Sequence, residues 1–304
     1  MKPSSVPPPH VDLAHAFDLH APEETGVFED VGALPKGRHA TLMVGLTTDV
    51  VVGAATGLLV APFVTIIDKS LTSNVSGRGS LSASLGDGLK TFAKNPVSFM
   101  TKPSFLAVFA VFAGTYITNN AVETVFLHQH LNPATPKFLI GSSANVGLNM
   151  WKDMLFTKWF ATVAPKPLPR ASYALFALRD TMTVSTSFVL PPIVSPYLQE
   201  EPIRMSKPTA DFVSQLTLPC AVQLVSVPVH VLSLDLYNNP QSTMAQRTQL
   251  IRSSYWSCAF GRVLRTIPGF GMGGVVNRWG RHELNIYLNE KLNAFSPFFR
   301  KQKI

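Results

Sequence analysis

Gly261-Arg262-Val263-Leu264-Arg265-Thr266-Ile267-Pro268-Gly269-Phe270-Gly271-Met272-Gly273-Gly274 decides how this chain is read. Two arginines one helical turn apart lead into a proline and a cluster of glycines, with apolar residues between them. Small residues at this density let helix backbones approach closely. The glycines look superficially like a phosphate loop, but no Lys-Ser/Thr follows and no strand-like segment precedes them, so helix packing is the better account. Working outward, Thr209–Leu288 reads as an apolar helix broken at Pro219 and Pro228, a turn at Asn238-Asn239-Pro240, a short surface helix over Ser242–Arg252, and a long helix over Ser257–Leu284. Two more worn copies of this plan lie upstream.

Composition points the same way. Of the 304 residues, 46% are hydrophobic and only 14% charged. Uncharged runs over Val50–Ile67, Pro103–Val122, Thr181–Gln199 and Phe212–Leu234 are each close to the ~20 residues a bilayer-spanning helix needs. All four carry Ser, Thr, Asn, Gln or Pro, as helices do when they pack polar faces inward in a bundle. A soluble all-α protein is the competing class, and four such runs weigh against it. The formal charge of +8 is scattered between apolar runs and forms no basic patch interleaved with aromatics. Anionic lipid, cardiolipin included, is therefore the expected partner and nucleic acid is not. Cys220 and Cys258 are isolated thiols, so neither a metal centre nor a disulfide framework is expected. No catalytic dyad, metal cluster or nucleotide fingerprint stands out, so no enzyme and no cofactor is expected.

The chain divides into an acidic, Pro-rich extension over 1–38, three similar segments over 39–128, 129–204 and 205–288, and a basic aromatic tail over 289–304. The extension is unlike a signal or transit peptide, so an organelle address would have to be internal. In the first segment Gly53-x-x-x-Gly57 is a close-approach spacing, and Pro62 should kink the helix by removing a backbone donor. A turn at Asn74–Gly79 and a surface helix over Ser84–Lys94 precede a long helix from Lys102-Pro103 to about Phe126. In the second, a helix from Pro136 carries Asp153, and the next covers Tyr173 to about Val194, bending at Pro191-Pro192. In the third, Pro228 is the counterpart of Pro62.

This plan resembles the mitochondrial carrier family. Its motifs are Pro-x-Asp/Glu-x-x-Lys/Arg-x-Lys/Arg at the end of each odd helix and an Arg-x-x-Pro, Gly-rich start to each even helix. Arg265-Thr266-Ile267-Pro268-Gly269 matches the second motif well, Leu178-Arg179-Asp180 keeps part of it, and Lys102-Pro103 less. The first motif has decayed. Pro62 stands with Val64, Ile67 and Lys69, then Trp151 with Asp153, Phe156 and Lys158, then Pro228 with His230, Ser233 and Asp235.

The resemblance implies an all-α membrane protein with six tilted transmembrane helices in three pseudo-symmetric repeats with short surface helices, spanning the mitochondrial inner membrane. It also implies cavity-facing cations at Arg265, Arg179 and Lys102 that would meet an anionic metabolite, and a remnant gate at Asp153, Lys158 and Lys69. Packing or snorkelling to a head group is the alternative for each cation. A histidine such as His230 is most simply a hydrogen-bonded member of the bundle. Because the gate lacks its paired bases, the alternative to transport is a transport-inactive carrier fold kept as an accessory subunit of a large inner-membrane assembly, such as a respiratory-chain complex or the ATP synthase.

Overall fold

The computed structural model describes residues 38–164, 166–188 and 190–300. Most of the N-terminal extension and the last four residues of the basic tail lie outside the described residues. Helices follow in the order α1 (Arg38–Val75), α2 (Leu81–Lys94), α3 (Pro96–Met100), α4 (Pro103–His128), α5 (Ala134–Phe160), α6 (Arg170–Phe188), α7 (Leu190–Gln199), α8 (Lys207–Asn238) and α9 (Met244–Thr266). A π-helical segment, Ile267–Met272, then joins α9 to α10 (Gly273–Arg300). Helices α1, α4 and α8 contain the stretches Leu42–Val75, Pro103–His128 and Thr209–Asn238, each long and apolar enough to cross a membrane.

Contacts run from neighbour to neighbour. Helix α1 packs along α4, α4 on α5, α5 on α6, α6 on α8 and α8 on α9. Helices α9 and α10 return to α1. Contacts across the middle, from α1 to α5 or α8, are sparse. One apolar cluster joins α1, α6, α8 and α9 through Leu71, Phe176, Val231, Leu234 and Cys258. A second joins α1, α3, α4 and α5 through Val60, Val64, Phe99, Val108 and Phe156. Helix α1 belongs to both.

Burial is inverted relative to a water-soluble protein. Arg179 and Lys152 are each 1% exposed, whereas Val225 is 65% and Trp256 75% exposed. Lys and Arg are almost never fully buried in soluble proteins unless paired, and large apolar patches are seldom left bare. An apolar exterior around a charged interior suits hydrocarbon as the surrounding medium.

The close approach expected of Gly53 and Gly57 is present. A Cβ on Gly53 would lie 2.9 Å from the backbone nitrogen of Ile117, and one on Gly57 would lie 2.7 Å from that of Ala113. The two glycines therefore bring α1 and α4 into backbone contact.

Several expected boundaries move. The helix does not break at Pro219 or Pro228; α8 runs through both, as α1 runs through Pro62. At Pro228 the reason is visible. Proline leaves the carbonyl four residues earlier without its helical donor, and the Tyr255 hydroxyl on α9 donates to that Leu224 carbonyl at 2.9 Å. Re-satisfaction by a neighbouring helix is how membrane helices tolerate proline.

The run Thr181–Gln199 is helical on both sides of residue 189, which lies outside the described residues, and Pro191-Pro192 fall within α7. The expected surface helix over Ser242–Arg252 is the start of α9, opened by a Thr243–Gln246 capping box and uninterrupted as far as Thr266. The discontinuity comes instead at Pro268, inside the π-helical segment. Helix α10 continues past Leu288.

Because the α1–α4 contact is backbone to backbone, Gly57→Leu should destabilise the folded protein by about 3 kcal/mol or more. Gly86→Ala on α2 should not act this way, since a Cβ there meets nothing within 4 Å. Thermal unfolding in detergent would compare the two, and equal midpoints would refute the contact.

Candidate functional site

Charges in the interior collect at one level, where five helices converge. Asp68 ends the apolar run of α1. Its carboxylate receives the Lys152 ammonium from α5 at 2.5 Å and the Arg265 guanidinium from α9 at 3.3 Å. Lys152 also lies 2.9 Å from Asp153. Asp153 in turn accepts from Arg179 of α6. Arg179 also donates to Asp180 Oδ1, from the same Nη2 at 2.6 Å and from Nε at 3.0 Å, and from Nη1 to His230 Nδ1 on α8 at 3.0 Å. An arginine can only donate, so His230 accepts at Nδ1 and holds its proton on Nε2. The result is a continuous chain, Arg265–Asp68–Lys152–Asp153–Arg179–Asp180, that ties α1, α5, α6 and α9 together.

Arg262 stands one turn before Arg265 and differs from the other cations. It is 5% exposed and donates to Gln223 Oε1 at 2.6 Å and Ser226 Oγ at 3.3 Å. No described carboxylate pairs with it, and its Nε has no hydrogen-bond partner. The Oδ2 of Asp180 is likewise unpartnered. The centre thus holds the cations Lys152, Arg179, Arg262 and Arg265 against the carboxylates Asp68, Asp153 and Asp180. It carries one positive charge in excess. Asp68, Lys152, Asp153, Arg179, His230, Arg262 and Arg265 surround a cavity of about 10 Å³, barely the space of one water.

A second ionic layer lies further along the bundle. Arg281 of α10 donates to Asp49 of α1 at 2.9 Å and pairs with Glu123 of α4, which also takes Lys137 of α5 at 3.1 Å. Asp49 and Asp68 share α1 and are separated by about 28 Å at 1.5 Å per residue. That matches the ~30 Å of a bilayer's hydrocarbon core.

Of the residues singled out from the sequence, Arg265, Arg179 and Asp153 come together in the centre. Lys102 caps the N-terminus of α4 and is half-buried. Lys69 is exposed, with its ammonium 5.8 Å from the centre of the Phe160 ring. Lys158 is half-buried and makes no ion pair among the described residues. Of Lys152 and Lys158, the two candidate partners of Asp153 in the sequence, Lys152 is the one that pairs, while Asp68 and Arg262 stand next to or a turn away from the residues that a motif offset picks out. The signal that finds them is simpler: a charge in or beside a long apolar run is expensive in a membrane and so marks a partner.

An apolar exterior wrapped around paired charges and a small polar cavity defines a multi-pass membrane protein with a polar core. A family model described as "Probable citrulline exporter" matches residues 52–285, well over half of the chain. The chain belongs to this family. No curated protein and no solved structure matches it. Its class is that of a transporter and not of an enzyme. The match overturns the resemblance to mitochondrial carriers, and with it the reading as an accessory subunit of a respiratory-chain or ATP synthase complex.

Removing a member of a buried ion-pair chain leaves its partner charged and desolvated. Arg179→Met should therefore cost about 3–5 kcal/mol, since Asp180 would lose its guanidinium. Lys158→Met should change stability by no more than about 0.5 kcal/mol. Chemical or thermal unfolding of the two purified variants checks the contrast, and a small effect of Arg179→Met would show that the chain of pairs is not formed.

Proposed function

We propose that the protein exports a small zwitterionic amino acid of the citrulline type, and that Arg262 receives its carboxylate. The observation that carries this reading is the guanidinium itself: buried, bordering the central cavity and unmatched by any described carboxylate. A charge held in low dielectric without a counter-charge is unfavourable, and an incoming carboxylate would relieve it with charge-assisted hydrogen bonds. The free Oδ2 of Asp180 offers an acceptor of the kind an α-ammonium needs. The anionic metabolite expected from the sequence narrows, on this reading, to a substrate with an anionic group.

In the closed conformation the cavity is too small for an amino acid, so entry requires the ion pairs around Asp68 to part. Export then amounts to opening the two ionic layers in alternation, with the substrate supplying differential affinity for one state over the other. Arg262→Gln should lower citrulline efflux from proteoliposomes at least about ten-fold, the equivalent of losing one charge-assisted contact. Arg262→Lys should retain part of the flux. Wild-type vesicles that hold inserted protein yet release no citrulline would sink the substrate assignment. Full flux through Arg262→Gln would remove Arg262 from it.

The same proposal places the chain in a membrane rich in anionic lipid, for which the mitochondrial inner membrane is the candidate, on the strength of the +8 charge. Carbonate-washed mitochondrial membranes should retain the protein, and its recovery in another membrane fraction would exclude that location.

A further inference from the structure

The ionic centre does not end at Arg265. The Arg265 guanidinium donates to Asn149 Oδ1 at 2.8 Å. The Asn149 amide donates onward to Asn145 Oδ1 at 3.1 Å, and Asn145 donates to Thr115 Oγ1 on α4 at 3.2 Å. One turn further along α4, Asn119 presses its Oδ1 against Gly141 of α5. A row of uncharged, planar amides therefore leads from the cavity along the α4–α5 seam toward the second ionic layer. Its start is well buried, with Asn149 5% exposed. Close to that layer, Asn120 and Asn277 exchange reciprocal amide bonds at 2.9 Å.

Resting on the function proposed above, we infer that Asn149, Asn145 and Thr115 form the subsite for the uncharged ureido end of the substrate, and that they exclude its cationic analogues. A ureido group has the donor and acceptor faces of a carboxamide. Its C=O can accept from the Asn149 amide and one of its N–H groups can donate to Asn145 Oδ1, replacing the Asn149–Asn145 bond one for one. Spacing agrees with this. Arg262 and Arg265 lie one turn apart, about 5–6 Å between Cβ atoms, and Asn149 is bonded to the second. An amino acid with its carboxylate on Arg262 and an extended side chain would present its far end at the amide row.

Charge supplies the selectivity. The row contains no carboxylate, and its first member is already bonded to a guanidinium. A substrate ending in guanidinium or ammonium would meet Arg265, whose carboxylate partner Asp68 is already shared with Lys152. Like-charge juxtaposition of this kind rejects a competitor more strongly than a missing contact does. Citrulline and arginine share their length and differ at one terminal atom and one charge, so this row is where they are told apart.

The test is a competition series on citrulline efflux from proteoliposomes containing the full chain. Against the wild type, arginine and ornithine should each inhibit at least about ten-fold more weakly than unlabelled citrulline. Asn145→Asp should weaken citrulline about ten-fold and bring arginine to equal or better potency. Wild-type protein that moves citrulline while arginine or ornithine competes equally well would overturn the subsite and leave the proposed function standing. An unchanged arginine-to-citrulline ratio in Asn145→Asp would do the same. Absence of any citrulline flux would remove the function and the subsite together. Should Asn145→Asp fail to fold, the wild-type series decides alone.

Discussion

The Asp68–Lys152 pair is the contact on which the rest of the architecture depends. It joins the helix shared by both apolar clusters to the helix across the centre, and the other paired charges at that level, Arg265, Asp153, Arg179 and Asp180, are reached from one or other of its two members. An unpaired ammonium or carboxylate in a hydrocarbon-bounded interior would be heavily penalised. Paired and extended by Arg265, Asp153 and Arg179, the same groups hold five helices at one depth. The apolar clusters on either side then pack against a fixed centre, and the glycines of α1 bring α4 close enough to seal one flank.

Much of the fold was legible because its signals are local. The uncharged runs located α1, α4 and α8, and the small-residue spacing at Gly53 and Gly57 located the tightest helix contact. Boundaries failed where tertiary partners overrule local chemistry. Pro228 reads as a break in isolation, yet the Tyr255 hydroxyl from another helix supplies the donor that the proline removed. The interval between Arg252 and Ser257 reads as a gap only when a repeat plan demands one, for it contains neither glycine nor proline, and α9 runs straight through it.

The carrier resemblance was carried by Arg265-Thr266-Ile267-Pro268-Gly269 and its neighbours, and the structure gives those residues a physical role that needs no shared ancestry. Pro268 sits where the helix widens into a π-helical segment, and Gly273 lies where any side chain would strike the Tyr116 hydroxyl. A bent helix with small residues at its closest approach is a requirement of tightly packed membrane helices generally. Motif offsets taken from one family then pointed to Lys69 and Lys158, whereas Asp68 and Lys152 are the residues that pair. Arg262 escaped for a related reason: what distinguishes it is the missing carboxylate, and absence of a partner is a property of the folded arrangement that no sequence spacing displays.

A closed ionic centre and a transport function are compatible because the two directions of change are unequal. Taking a whole buried ion-pair network apart and rehydrating its members returns the desolvation that assembling it required, so the net stability of such a network is small. Removing one member while the others stay buried is far costlier. The centre should therefore resist partial disruption and yield only when several pairs exchange partners together. A zwitterion fits that demand, since it brings a carboxylate and an ammonium at once and leaves the sum of charges unaltered. On the proposed function, the excess cation at Arg262 would bias the exchange, gaining a counter-charge when the substrate arrives and losing it when the substrate leaves.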